Sequence, residues 1–190
     1  DLIPDSITLH IIPSANPDGQ FLVTGSAERF APTVVISDTL PGRLNGNGVD
    51  LNRNWACNWR ADALWRDQWV DGGSEAFSEP ETAALRDYLL ALQPIAVIFW
   101  HSALNAAIAA GCPNTHQPSY QLATIYGIAS GYPIYEAFTS YAITGDASDY
   151  LTTQGIPSMT VELINHADTD WRQNLGGITA VLNYYATIQE

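Results

Sequence analysis

Arg43 and Arg53 flank a short Gly/Asn-rich stretch, Leu44-Asn45-Gly46-Asn47-Gly48-Val49-Asp50-Leu51-Asn52, and Asn54 and Trp55 follow. The chain has seven arginines, no lysine and 20 acidic residues, so two of its few cations are concentrated in one turn region. A planar guanidinium grips a carboxylate through two parallel hydrogen bonds, and an asparagine beside it adds a neutral donor. The chemistry this stretch points to is anion binding. A second reading has Asn and Gly setting a turn while Arg53 pairs with a local carboxylate, and the stretch alone leaves both open.

Two further residues carry chemistry. His101 stands at the carboxyl end of the apolar run Ile95–Trp100, and Glu162 lies near the end of Ile156–Leu163. Open α/β sheets place ligand sites at the carboxyl ends of their strands. A carboxylate in such a strand is costly to bury alone, so Glu162 must meet a cation, a metal or water. With Tyr141, these residues describe an anion site beside an imidazole and a carboxylate, a plausible hydrolytic set.

The elements that position them read as follows. Ser6–Pro13 is β-branched and ends at a proline, which predicts a strand with His10 buried among aliphatic residues; Asn16-Pro17-Asp18-Gly19 then predicts a turn. Thr33–Ser37 reads as a short extended piece, and Ala56–Gly73 as an irregular loop or short helix. Ser78-Glu79-Pro80-Glu81 has the form of a capping box, opening a helix with Leu85, Tyr88, Leu89 and Leu92 on one face and Pro94 as its stop. Ile95–Trp100 and Ile156–Leu163 predict strands covered on both faces. Pro118–Ser130 predicts a helix, Phe138–Asp149 a turn-rich segment, Tyr150–Gln154 a helical turn and Trp171–Glu190 an amphipathic helix. The fold class is α/β: a mixed, largely parallel twisted sheet flanked by helices, in a single domain over residues 1–190.

Composition narrows the function classes. A length of 190 residues with 46% hydrophobic content suits one domain with a real core. A net charge of -13 argues against a nucleic-acid partner, which needs a basic patch. The apolar runs are too short to span a bilayer. Cys57 and Cys112 allow either one bridge or two free thiols. Acidity without lysine is compatible with an extracellular or periplasmic protein.

In order along the chain, Pro13–Gly19, Arg43–Trp55, Ser78-Glu79-Pro80-Glu81-Thr82, His101-Ser102, Tyr141 eight residues before Asp149, and Thr160-Val161-Glu162-Leu163 resemble the zinc metallocarboxypeptidases, the carboxypeptidase A-like peptidases. The resemblance implies hydrolysis of C-terminal residues from peptides by a zinc-activated water. It implies that His101 is a zinc ligand, Glu162 the general base and Arg43 the group that polarises the scissile carbonyl. Asn52 and Arg53 would hold the substrate's terminal carboxylate, and Tyr141 would close over it. Asp146, Ser148, Asp149 and Thr160 fall near the side-chain pocket; Asp146 suits a basic side chain there, or is only a turn residue after Gly145. The implied partner is a peptide or cell-wall peptide with a free C-terminal carboxylate. A murein-peptide amidase on the same fold, a zinc-free binder of peptide C-termini, an acyl-amino-acid deacylase and a two-carboxylate glycosidase on Asp149 and Glu162 are the other readings.

The family's His-x-x-Glu motif, which supplies two more zinc ligands, is absent: none of His10, His101, His116 or His166 has Glu three residues later. The expectation is a chain corresponding to the C-terminal two thirds of a family domain. Its zinc site would need the N-terminal segment or another chain as a partner.

Overall fold

A computed structural model of the chain describes residues 2–188. In chain order its elements are helix α1 (Pro17–Thr24), strands β1 (Asp62–Trp65) and β2 (Gln68–Asp71), helix α2 (Pro80–Leu92), strands β3 (Val97–Ser102) and β4 (Ala106–Ala109), helix α3 (Gln117–Ser130), strand β5 (Ile134–Tyr135), helix α4 (Ala147–Thr153), strand β6 (Ser158–Leu163) and helix α5 (Trp171–Thr187). They belong to two compact units. Of the described residues, one comprises 2–11, 93–139 and 151–188; the other comprises Ile12–Leu92 and Ser140–Tyr150.

The first unit holds a four-stranded sheet in the order β3-β6-β4-β5. β3 with β6 and β4 with β5 are parallel, whereas β4 and β6 run antiparallel. This is the mixed α/β fold expected from the sequence. Side chains alternate across a strand, and Ala107, Ala109, Met159 and Val161 turn to one face. There they meet Leu122, Ala123 and Tyr126 of α3 and Val181 of α5 in a buried apolar cluster. Burying a side chain the size of Met159 or Val161 contributes roughly 1.5–3 kcal/mol. The other residues of these strands, Thr160 and Glu162 among them, therefore turn to the opposite face.

Three expectations for this unit change. Ser6–Pro13 forms no strand, and His10 is exposed along with Leu9, Ile11 and Ile12. β-branched residues favour extended backbone, but a strand exists only where a backbone ladder forms, and among the described residues none includes this stretch. β3 is not covered on both faces: Trp100 is 45% exposed. Among the described residues β3 has a neighbour on one side only, which makes it the sheet's edge. β4 was not foreseen, because its alanines favour helices; pairing with β6 and β5 overrides that preference. The helix at Pro118–Ser130 appears as α3, whereas the helical turn expected at Tyr150–Gln154 starts three residues earlier, as α4, inside the segment expected to be turn-rich. α5 begins at Trp171 as expected, and the last two residues of that prediction lie outside the described residues.

In the second unit Asn16 caps α1, its Oδ1 accepting the Gly19 N–H at 2.9 Å. The expected turn is thus a helix start, with Pro17 in the first turn where its missing donor costs nothing. Pro32–Val34 is a 3-10 turn rather than the start of an extended piece. Ala56–Gly73 contains the β1–β2 hairpin in place of a loop or helix, turning through Arg66 and Asp67. α2 starts and stops as expected, but the Ser78–Glu81 capping box does not form. Asn54 ties down the start of the helix: its Oδ1 accepts from Glu79 N at 3.2 Å and from Thr82 Oγ1 at 2.6 Å. Glu81 instead accepts from Asn45. Trp55, Phe77 and Tyr150 pack edge to face or tilted, with centroids 4.9–5.7 Å apart. Cys57, in this unit, is disulfide-bonded rather than a free thiol.

Candidate functional site

Arg43 and Arg53 both lie in the second unit. The 3-10 turn Leu51–Arg53 is opened by Asp50, whose Oδ1 accepts from Asn52 N. Asp50 is 2% exposed. Its Oδ2 takes both Nε and Nη2 of Arg43, at 3.0 and 2.7 Å. Arg43 also lies over the Trp65 ring, its guanidinium carbon 4.7 Å from the centroid. One edge of the guanidinium and one face are therefore fixed, and the Nη1 edge keeps its donors for another acceptor.

Arg53 is held differently. Its side chain is fully buried, with the residue 1% exposed. Nε donates to Leu64 O at 2.8 Å, Nη1 to Asn52 O at 2.6 Å, and Nη2 lies 3.4 Å from the Tyr141 hydroxyl. All three acceptors are neutral. Among the described residues no ion pair joins Arg53 to a carboxylate, whereas Arg43 pairs with Asp50 and Arg86 with Asp87. A buried, uncompensated cation is costly by several kcal/mol, and the arrangement suits an anion arriving beside Tyr141.

Asn52 is oriented by α4: its Nδ2 donates to Asp146 Oδ2 at 2.8 Å and its Oδ1 accepts from Ala147 N at 3.0 Å. One amide N–H of Asn52 remains for a ligand. Asp146 is 7% exposed and caps α4. Its Oδ1 accepts from Ser148 N, Ser148 Oγ and Asp149 N. These bonds place Asp146 at the start of α4 and engage the buried Ser148 hydroxyl.

In the first unit His101 and Glu162 are register partners in the parallel β3–β6 pair. Paired residues of adjacent strands share a face about 5 Å apart, so imidazole and carboxylate stand side by side. Both are partly buried, on the face away from the α3–α5 cluster. Ala106 pairs with Glu162 from the other side and Thr160 lies two residues back on the same face; an alanine there leaves room around the carboxylate. Next to His101, Ser102 Oγ lies 2.9 Å from His166 Nδ1.

Zinc requires more than this. A catalytic zinc takes three protein ligands and keeps one open position. Among the described residues no group of three or more His, Cys, Asp or Glu side chains is placed to hold a metal ion. The residues present therefore do not by themselves fit the metal. Sequence reasoning assigned no role to Asp50, Leu64 or Trp65, which hold the two arginines. Asp50 was visible as an acid within the motif; the other two had no local signal.

The zinc carboxypeptidase profile (Peptidase_M14) matches residues 2–170. Murein peptide amidase A of Escherichia coli strain K12 is 40% identical over 72 residues, 33% of this chain and 30% of that protein. Gamma-D-glutamyl-L-diamino acid endopeptidase 1 of Lysinibacillus sphaericus is 27% identical over 190 residues, 89% of this chain and 47% of that protein. Among solved structures, carboxypeptidase A from Helicoverpa armigera superposes with a TM-score of 0.63 at 21% identity, over 94% of this chain and 52% of that one. Murein-tripeptide amidase from E. coli O157 gives 0.60 at 22% identity, over 90% and 64%. The chain thus spans less than two thirds of the length of each of these relatives.

Proposed function

As this chain belongs to the zinc carboxypeptidase family, we propose that it supplies the carboxylate-binding and proton-transfer residues of a peptidase that hydrolyses an amide bond near a peptide's free carboxyl end. The observation that carries this reading is the buried Arg53 guanidinium, which has neutral partners only. In it, Arg53 and the remaining Asn52 N–H hold the terminal carboxylate, and Tyr141 covers it with its hydroxyl as a donor. Arg43 offers its Nη1 edge to the scissile carbonyl oxygen and stabilises the negative charge that develops there. Glu162 takes a proton from the attacking water and returns it to the leaving amine. Asp146, Ser148 and Thr160 are candidates for the side-chain pocket, with Asp146 acting through its cap. Zinc is the family's metal; His101 is this chain's candidate for one ligand, and the other two are not supplied by the described residues.

The names of the curated relatives favour a cell-wall peptide as the substrate, hydrolysed by a murein-peptide amidase activity, over general release of C-terminal residues. Disulfide-bonded cysteines support an extracellular or periplasmic location, where such peptides are met. Calorimetry with N-acetyl-alanyl-phenylalanine and its C-terminal amide, in chelator, tests the carboxylate site: the acid binds at least tenfold more tightly, and equal affinities refute it. Catalysis is tested on a protein that also carries the His-x-x-Glu segment. Zinc-dependent cleavage of a peptide or a murein tripeptide, abolished by Glu162→Gln, is expected; a zinc-loaded protein that cleaves neither leaves only a carboxylate-binding module.

A further inference from the structure

The two site arginines are held by consecutive residues of one hairpin. Leu64 accepts Arg53 Nε through its carbonyl at 2.8 Å. Trp65, the next residue, lays its indole 4.7 Å from the Arg43 guanidinium carbon. Strand geometry makes this possible, because successive residues present different groups to different sides while the backbone between them is fixed. The hairpin is itself tied to the arginine segment: Asp50 N donates to Asp71 O at 2.9 Å, and Val49 bridges Asp71. Asp50 and Trp65 thus constrain Arg43 from two directions, the carboxylate fixing its Nε–Nη2 edge and the indole its plane.

We infer that Trp65 is a positioning residue. By stacking on Arg43 it directs the free Nη1 edge toward the substrate carbonyl, and it locks that edge relative to Arg53 through the adjoining Leu64 carbonyl. A carboxylate alone leaves a guanidinium free to swivel about the shared oxygen, since both of its bonds go to Asp50 Oδ2; the aromatic face removes that freedom. Arg66, the exposed first residue of the hairpin turn, lies 4.9 Å from the same ring. It adds a second cation–π contact that keeps the indole in place.

The inference rests on the proposed role of Arg43, and its test separates the two. In Trp65→Leu, affinity for N-acetyl-alanyl-phenylalanine falls about 3- to 10-fold, the range of a partly desolvated cation–π contact. In Trp65→Phe, which keeps an aromatic face, it stays within about twofold. In an Arg43→Ala background the Trp65→Leu loss disappears, because the ring then has nothing to orient. Independently of any ligand, the Arg43 δ-methylene protons of the wild type carry an upfield ring-current shift in NMR spectra. The shift is lost in Trp65→Leu and kept at reduced size in Trp65→Phe. An undiminished Trp65→Leu loss in the Arg43→Ala background makes Trp65 a merely structural residue and overturns the proposal. So does a wild-type spectrum without the ring-current shift, which decides the matter even where Trp65→Leu does not fold. Equal binding of peptide acid and amide by the wild type overturns the carboxylate reading alone and leaves the spectroscopic test standing.

Discussion

Replacing Arg53 by glutamine should separate the cost of a buried charge from its use. The guanidinium has five N–H groups. Three point at Leu64 O, Asn52 O and the Tyr141 hydroxyl, the last at a long 3.4 Å. Bonds from a charged donor contribute about 1.5–3 kcal/mol each, and the desolvation of an uncompensated cation opposes them by several kcal/mol. The two nearly cancel, so Arg53→Gln changes folding stability by no more than about 2 kcal/mol in urea unfolding. Binding has no such cancellation. Truncating one partner of a buried charge pair costs about 2–5 kcal/mol, so affinity for a peptide acid falls at least about 30-fold. Affinity for the corresponding amide hardly moves. In a thermal melt, ligand at 100 times the wild-type Kd stabilises the wild type by about 2.7 kcal/mol, and the variant, at about 30-fold weaker affinity, by no more than about 0.9 kcal/mol, so the rise in Tm should shrink to about a third or less. Arg53→Lys keeps the charge but not the planar fork, and falls between the two. Retention of the acid-over-amide preference by Arg53→Gln, or a stability loss above about 4 kcal/mol, would show that Arg53 is a core residue rather than an anion receptor.

Asp50→Asn removes the charge that fixes Arg43 while keeping the acceptor for Asn52 N. The expected loss is about 1–3 kcal/mol by urea unfolding, less than for a fully buried pair because Arg43 is 23% exposed. Burial raises the Tyr126 pKa from 10.0 to about 12, partly opposed by the hydrogen bond from Trp100. The unfolded chain therefore ionises this phenol first: its contribution is intact below pH 10, and about 2–3 kcal/mol is lost as pH rises toward 12. Tyr126→Phe should be about 1 kcal/mol less stable at neutral pH, having lost the 2.6 Å bond to Asn174, and should show a shallower alkaline fall. For Glu79, burial acts to raise the pKa, but hydrogen bonds from Asn45, Asn47 and Ser78 together bring it below 4.5. That stability is present above pH 4.5 and lost as pH falls through the lower folded value, so Glu79→Gln should flatten the acid side of a pH–stability curve.

The candidate site residues were legible as candidates because their signals are local. Arg43, Asn52 and Arg53 stand out as scarce donors in a Gly/Asn-rich turn, and Glu162 as an acid in an apolar run. The side-by-side placement of His101 and Glu162 was only half legible. Sequence puts each near a strand end, but the register that makes them partners is set by the β3–β6 ladder. The hairpin at Asp62–Asp71 was hidden because Trp, Arg and Asp around its turn give no Asn-Gly type signal, and the positive φ falls on Arg66. The capping box expected at α2 does not form because its members find partners far away in sequence: Ser78 Oγ accepts from Asn54 and Glu81 from Asn45.

By itself, then, the sequence determined helices α2, α3 and α5, the two apolar strands that carry His101 and Glu162, and the cationic segment, since each depends on residues a few positions apart. Tertiary structure decided what those pieces contact: which carboxylate holds Arg43, which carbonyl and ring steady the two guanidiniums, and that Arg53 has no counter-charge among the described residues. It also decided that Ser6–Pro13, for all its β-branched residues, remains without a ladder. The physical reason is common to all of these. Propensity and periodicity fix backbone conformation locally, whereas pairing, burial and charge balance belong to partners that only the folded chain brings within bonding distance.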